Sequence, residues 1–192
     1  AIHCNRSTEE ADALAGEIVA GGGRAAVLSA DLEDMNATAA LVRLAGESLG
    51  PVGVLVNSAS VFERDEALDF DWPLWDRHFA LHLKAPVLLA RELARQLSGD
   101  AAGLVVNIVD QRVLRPNPQF FSYTLSKSAL WDATRTLAQA LAPRVRVNAI
   151  GPGPILFPEG YPAEAADRDR RATLLGREGS SDDIAAAVEY LA

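Results

Sequence analysis

Five short apolar runs recur along the chain, and stretches with helical spacing separate them. The runs are "AIHC", "AAVLSA", "VGVLVN", "GLVVNIV" and "VRVNAI". Short apolar runs bounded by turn formers read as buried strands. "VGVLVN" is apolar throughout, as expected of a parallel strand covered on both faces. Ser7 and Glu10 have the spacing of a capping box; they open a helix running to about residue 20, where three glycines stop it. Asp34 caps a second helix over 35–49, which Gly50-Pro51 ends. A long helix over 72–98 contains Pro86, another spans 119–141, and a last one covers 181–191. Residues 151–172 form a Pro/Gly-rich loop with a short helical patch.

This alternation predicts an open, doubly wound parallel sheet with helices on both faces, an α/β fold of three layers. No repeat, low-complexity tract or linker breaks the series, so residues 1–192 read as a single domain. Ligands of such sheets bind beyond the carboxyl ends of the strands. Asn5-Arg6-Ser7, Asp31, Asn57-Ser58-Ala59-Ser60, Asp110 and Gly151-Pro152-Gly153 all fall there.

Composition narrows the function. With 192 residues, 49% hydrophobic and 23% charged, the chain is long enough for a sizeable core. A net charge of -8 argues against nucleic-acid and anionic-membrane surfaces. Cys4 is the sole cysteine, so no internal disulfide forms and a reducing cytoplasm is the expected compartment. No signal peptide or membrane-length apolar run is visible. Three histidines and one cysteine, none at ligand spacing, give no expected metal site.

The chemistry concentrates in "NIVDQRVLRPNPQFFSYTLSKSAL". Tyr123 and Lys127 stand four apart and share a helix face. A free phenol has a pKa near 10; a nearby ammonium favours phenolate, and lowering the pKa by about 2–3 units needs roughly 3–4 kcal/mol. The result would be a proton donor and acceptor near neutral pH. YxxxK alone is common and more often marks a core tyrosine and a solvated lysine. Here it follows a buried strand that ends in Asp110.

With "NSAS" after the third strand, "YTLSK", and "RVNAIGPGPI" after the fifth, the chain resembles the short-chain dehydrogenase/reductase family along nearly its whole length. "HCNRS", "VNIVD" and "NSASVF" resemble its pteridine reductase and dihydromonapterin reductase branch. The resemblance implies a Rossmann-like fold, a bound NAD(P), and a homodimer or homotetramer. It gives Tyr123 the proton transfer, and Lys127 both the tyrosine pKa and the nicotinamide ribose. Asn57, Ala59 and Ser60 match the segment along the cofactor, Asp31 and Leu32 the adenine side, and Pro152, Gly153 and Ile155 the loop meeting the carboxamide. The family's glycine-rich phosphate loop and last strand have no counterpart here. Both ends read as cut, and we expect a piece of a longer protein.

Four departures stand out. "NNAG" reads Asn57-Ser58-Ala59-Ser60, the usual catalytic serine is Asp110, the usual asparagine of the long helix is His82, and a frequent threonine is Phe157. Pro86 has no N–H, so the His82 carbonyl loses its helical partner and could hold a relay water. A plain packing role for His82 is equally open.

An acidic residue after the second strand of NAD-specific relatives accepts the ribose hydroxyls. Here Asn5-Arg6-Ser7 stands in that place, which predicts NADPH, with Arg6 and Ser7 on the 2′-phosphate. Asp110 predicts a substrate with a C=N bond in a flat pterin-like ring, because a carboxylate opposes the oxyanion of ketone reduction. A protonated Asp110 acting as the missing serine would restore ketone chemistry. Ser60 and Phe62 complete the substrate set, with Phe62 able to stack a flat ring, although a buried loop anchor is as good a reading. His3 is a strand-end polar residue or faces the adenosine phosphate. Arg112 and Arg115 read as solvated loop residues, and Trp72, Trp75 and Trp131 as core or interface anchors. The helices over 72–98 and 119–141 are the expected subunit contact. The rival readings are an ordinary ketone or alcohol oxidoreductase and a non-catalytic binding module of the same fold.

Overall fold

The computed structural model describes residues 1–157 and 161–192. Strands β1 (Ile2–Cys4) and β2 (Val27–Ser29) pair in parallel, and β3 (Val54–Asn57), β4 (Gly103–Ile108) and β5 (Val145–Ile150) form a second parallel sheet in that order. Helices α1 (Thr8–Ala20), α2 (Met35–Leu49), α3 (Trp72–Phe79), α4 (Ala85–Gln96), α5 (Phe121–Leu141), α6 (Ala163–Arg171) and α7 (Ser181–Leu191) fill the intervals.

The alternating face of each strand explains the layers. Val105, Val145 and Val147 pack with Ala90 and Leu93 of α4 and with Leu137, Ala138 and Leu141 of α5. Leu32, Leu41 and Val42 meet Ala85 and Leu89 in a second cluster that includes Leu55. Arg146 points the other way and donates to the Leu191 carbonyl at 2.7 Å, so α7 lies against the opposite face. Burying a side chain such as Leu93 stabilises by about 1.5–3 kcal/mol.

Three local expectations need correction. The strands form two sheets instead of one, with β1 and β3 facing each other across a cavity of ≈ 660 Å³. "VGVLVN" is consequently not buried on both faces, and Val54 and Val56 are exposed. Ser7 is the N-cap of α1, but its φ of -80° and ψ of 57° lie outside the extended region that brings a cap oxygen onto the helix N–H groups, and its side chain makes no cap bond. A capping box forms instead at Ser180 and Asp183, where both reciprocal bonds are present. Asp34 caps α2 as its position suggests, accepting from Asn36 and Ala37. Gly50 ends α2 at φ 102°, a conformation that favours glycine.

The long helix is interrupted where Pro86 requires it. Ala80–Lys84 form a single π turn between α3 and α4, closed by the Ala85 N–H on the Ala80 carbonyl. A proline cannot donate to the previous turn, and widening that turn is one way to accommodate it. The turn rotates His82 toward α5, where it is buried.

Candidate active site

The β4–α5 unit holds the chemistry. Asp110 follows the end of β4, while Tyr123 and Lys127 occupy one buried face in the first turns of α5. The Tyr123 hydroxyl donates to Asp110 Oδ2 at 2.9 Å. Lys127 Nζ donates to the Ile108 carbonyl at 2.8 Å. Two more donors reach Asp110: the Arg112 backbone N–H at Oδ1 (2.8 Å) and Arg112 Nη1 at Oδ2 (3.1 Å). Every partner of this carboxyl donates to it, the pattern of an ionised acceptor.

This arrangement reverses the expected tyrosine shift. Burial first, then the charge and hydrogen bond of Asp110, raise the Tyr123 pKa above its ordinary value; Arg112 and a Ser60 hydrogen bond pull down and are outweighed. The Lys127 ammonium lies 5.8 Å from the Tyr123 ring centroid and donates to the Ile108 carbonyl, so it does not outweigh burial and the carboxylate that holds the phenol. Burial brings Lys127 itself from 10.5 to about 8, against the attraction of Asp110. The phenol is therefore a neutral proton donor at pH 7, and the ammonium remains largely charged.

Aromatic groups and an arginine line the approach. Phe62 stacks on Phe120 with centroids 4.2 Å apart, and meets Tyr123 edge-on at 4.8 Å. One face of Phe62 is thus already covered, and only the remainder can receive a flat ring. The Arg112 Cζ lies 5.1 and 5.0 Å from the Phe62 and Phe120 centroids. Contrary to the solvated reading, Arg112 is two-thirds or more buried at its side chain and tied to Asp110, with 21% exposure against 15% for its partner. Asp65 clasps the head of α5. Its backbone carbonyl accepts from Phe121 N–H, and its carboxylate from Ser122 N–H at 3.1 and 3.2 Å. A buried carboxylate at a helix N-terminus is compensated by those N–H groups and by the dipole.

Behind the phenol lies a column of polar contacts. His82 Nε2 is 2.9 Å from Ser60 Oγ and 3.3 Å from the Val61 N–H, and Nδ1 is 2.8 Å from Ser126 Oγ. The Ser126 hydroxyl donates to the Tyr123 carbonyl at 2.7 Å. Burial, with Lys127 and His78 nearby, lowers the His82 pKa to about 2, so the ring is neutral. His78 stacks on it at 5.5 Å and bonds Ser122 through Nδ1.

A cavity of ≈ 800 Å³ brings together Ser60, Phe62, Asp110, Tyr123, Lys127, Pro152, Gly153 and Ile155. Leu32, Asn57 and Ala59 line the β1–β3 cavity instead, and Ser58 lines both. Leu32 is a core residue, so only its backbone is free to meet a ligand. The Asn57 amide donates to Asn107 Oδ1 at 2.8 Å, and Asn107 donates to Thr134 at 2.9 Å. Asp31 accepts from the Glu33 N–H in a turn. Arg6 and Ser7 are exposed at the end of β1. His3 bonds the Ala30 carbonyl. Arg115 lines the larger cavity but stays exposed. Sequence reasoning missed Asp65, Asn107, Phe120 and Ser126; only the asparagine inside an apolar strand carried a visible signal.

A family model for short chain dehydrogenase matches residues 1–162. The chain belongs to the short-chain dehydrogenase family. Among solved structures of this family, the alternative dihydrofolate reductase FolM from Brucella canis, complexed with NADP, is 52% identical with a TM-score of 0.94. The match covers 98% of this chain and 75% of that one. FolM from Brucella suis, also with NADP, is 53% identical at the same TM-score, covering 98% and 76%. A curated short-chain relative, 2-dehydro-3-deoxy-D-gluconate 5-dehydrogenase from Dickeya dadantii, is 33% identical over 92% of this chain and 72% of its own length. No described helix is long and apolar enough to cross a membrane.

Proposed function

We propose that this chain is the NADP(H)-dependent reductase part of a short-chain enzyme acting on a C=N bond of a pterin-like heterocycle. The observation that carries the reading is the Tyr123–Asp110 hydrogen bond at 2.9 Å. A carboxylate beside the proton donor stabilises the positive charge that develops as an imine nitrogen is protonated, and opposes the oxyanion of a ketone. The similarity to FolM supports the same substrate class.

The residues fit a dinucleotide. Tyr123, Lys127, Pro152, Gly153 and Ile155 share one cavity, and Ser58 lines both this cavity and the β1–β3 cavity. Arg6 and the uncapped Ser7 hydroxyl offer a 2′-phosphate a guanidinium and a donor at a helix N-terminus. Asp31, Leu32, Asn57 and Ala59 would hold the adenosine side, and Lys127 the nicotinamide ribose. When bound, the dinucleotide would supply hydride to the substrate carbon. The chain does the rest: Tyr123 gives its proton to the nitrogen, Asp110 orients the phenol, and Lys127 and Arg112 offset the phenolate left behind. Phe62 offers its uncovered side to a flat ring, with Ser60 at its edge. The aromatic surface of Phe70, Trp72, Trp75 and Phe121 across α3 and α5 suits a homodimer or homotetramer in the cytoplasm.

A carbonyl oxidoreductase is the second reading, favoured by the sugar-acid relative. The test is kcat/KM for 7,8-dihydrobiopterin, dihydromonapterin and dihydrofolate against simple ketones, with NADPH and NADH, on wild type and Asp110→Ser. Dihydropterins should lead with NADPH, and Asp110→Ser should shift preference toward ketones. Ketones outperforming every dihydropterin on wild type would overturn the reading.

A further inference from the structure

We propose that His82 is a positioning residue that fixes the direction of the Ser60 hydrogen bond, so that Ser60 presents lone pairs, not its proton, to the substrate. The proposal rests on the reductase reading above and extends it to a residue that touches neither cavity.

The direction follows from the two ends of the column. The Val61 N–H can only donate, and it points at His82 Nε2 (3.3 Å). The Tyr123 carbonyl can only accept, and it receives the Ser126 hydroxyl (2.7 Å). Ser126 has one proton, already given, so its contact with His82 Nδ1 at 2.8 Å requires Nδ1 to be the donor. Neutral imidazole carries one ring proton; with it on Nδ1, Nε2 is bare. The 2.9 Å contact between Nε2 and Ser60 Oγ is then a bond donated by Ser60. The opposite tautomer would turn an Nε2–H toward the Val61 N–H and leave Ser126 Oγ and Nδ1 facing each other without a proton. The ring is 1% exposed; of the titratable groups facing it, Lys127 and His78 disfavour a second proton, and Tyr123, edge-on at 5.3 Å, is a neutral phenol.

The consequence concerns which substrates the site tolerates. Ser60 and Asp110 both line the cavity around Tyr123. Asp110 accepts, and Ser60, whose proton rests on His82 as long as the phenol is neutral, accepts as well; only a phenolate at Tyr123 would draw that proton away from His82. Tyr123, whose proton rests on Asp110 until the substrate nitrogen takes it, is left as the donor of this group. A ring with N–H groups next to its reacting C=N bond meets two acceptors and one donor. A ketone meets two lone-pair groups where a serine of ordinary polarity would donate to its oxygen. His82 thus adds to the discrimination made by Asp110, acting through Ser60.

The tautomer can be read without any substrate. Nitrogen NMR of the wild-type chain with labelled histidine, the His82 ring told from the equally buried His78 by its loss in His82→Gln, should show that ring with a pyrrole-type Nδ1 and a pyridine-type Nε2, unchanged from pH 5 to 9. A protonated Nε2 on that ring overturns the proposal whatever the substrate proves to be. For function, His82→Phe removes the acceptor and frees the Ser60 proton, while His82→Gln restores an acceptor oxygen near the Nε2 position. We expect His82→Phe to lower kcat/KM for 7,8-dihydrobiopterin about three- to tenfold, the scale of one hydrogen bond, to raise the ratio of ketone to dihydropterin activity, and His82→Gln to recover most of the loss. An unchanged ratio in a folded His82→Phe protein overturns it. Should that variant not fold, the NMR result and the same ratio in Ser60→Ala, which should rise, decide the matter. Wild type that prefers ketones yet shows the Nδ1–H tautomer sinks the pterin reading alone and leaves the hydrogen-bond direction standing.

Discussion

Replacing Asp110 by asparagine keeps the side-chain shape and removes its charge. The Tyr123 phenol then loses an ionic acceptor at 2.9 Å. A hydrogen bond to a charged group contributes about 1.5–3 kcal/mol, or roughly one to two pKa units at 1.36 kcal/mol per unit. Arg112 Nη1 approaches the same Oδ2 at 3.1 Å and already offsets part of that charge, so the lower end, about one unit, is expected. Lys127 should move the same way, because Asp110 is what holds its pKa up against burial. Ultraviolet titration of tyrosinate, comparing Asp110→Asn with the same variant carrying Tyr123→Phe, isolates the Tyr123 step. The phenol should titrate about one unit lower than in wild type, and dihydropterin kcat/KM should fall about tenfold or more. An unmoved Tyr123 titration would refute the view that the carboxylate governs this phenol.

Other outcomes follow from the same geometry. His82 has its folded pKa lowered to about 2 from 6.5, so below pH 6.5 the unfolded chain binds the extra proton and stability is lost as pH falls. Between pH 7.5 and 5.5 this costs about 1.4 kcal/mol; denaturant unfolding should show it in wild type, and an equal acid slope in His82→Gln would sink the assignment. Tyr123→Phe should nearly abolish turnover while NADPH still binds by calorimetry; half of wild-type kcat would contradict its role. Arg6→Ala should weaken NADPH binding more than NADH binding, and equal affinity of wild type for both cofactors would refute the 2′-phosphate assignment. Asn107→Ala should cost about 2–3 kcal/mol by stranding the Asn57 amide, visible as a drop in Tm; a change within a few tenths would show that the amide finds another partner.

What the sequence made legible was local. The strand and helix alternation, the Asp34 cap, the disruption near Pro86 and the shared face of Tyr123 and Lys127 all depend on spacing within one or two turns. What stayed hidden depends on where distant segments meet. Glu10 could not reveal that the Ser7 backbone turns away from its cap. Nothing near Asp65 shows that it closes the head of a helix 57 positions later. Arg112 reads as a loop cation until Phe62 and Phe120 are seen beside it. The sign of the Tyr123 shift was missed because a charged lysine four residues away was weighed without the carboxylate that the loop folds onto the phenol.

The loop after β3 is tied to the head of α5 three times: Asp65 to Ser122, Phe62 to Phe120, and Ser60 through His82 to Ser126. Such a wall behaves as one body on the time scale of amide exchange. The Ser122 N–H, buried and held by Asp65, should exchange only when the whole unit opens, at the rate of the core strands instead of that of a loop. The ordering of Ser60, Phe62 and Tyr123 is then complete on folding, and ligand binding on this side carries little further loss of conformational entropy.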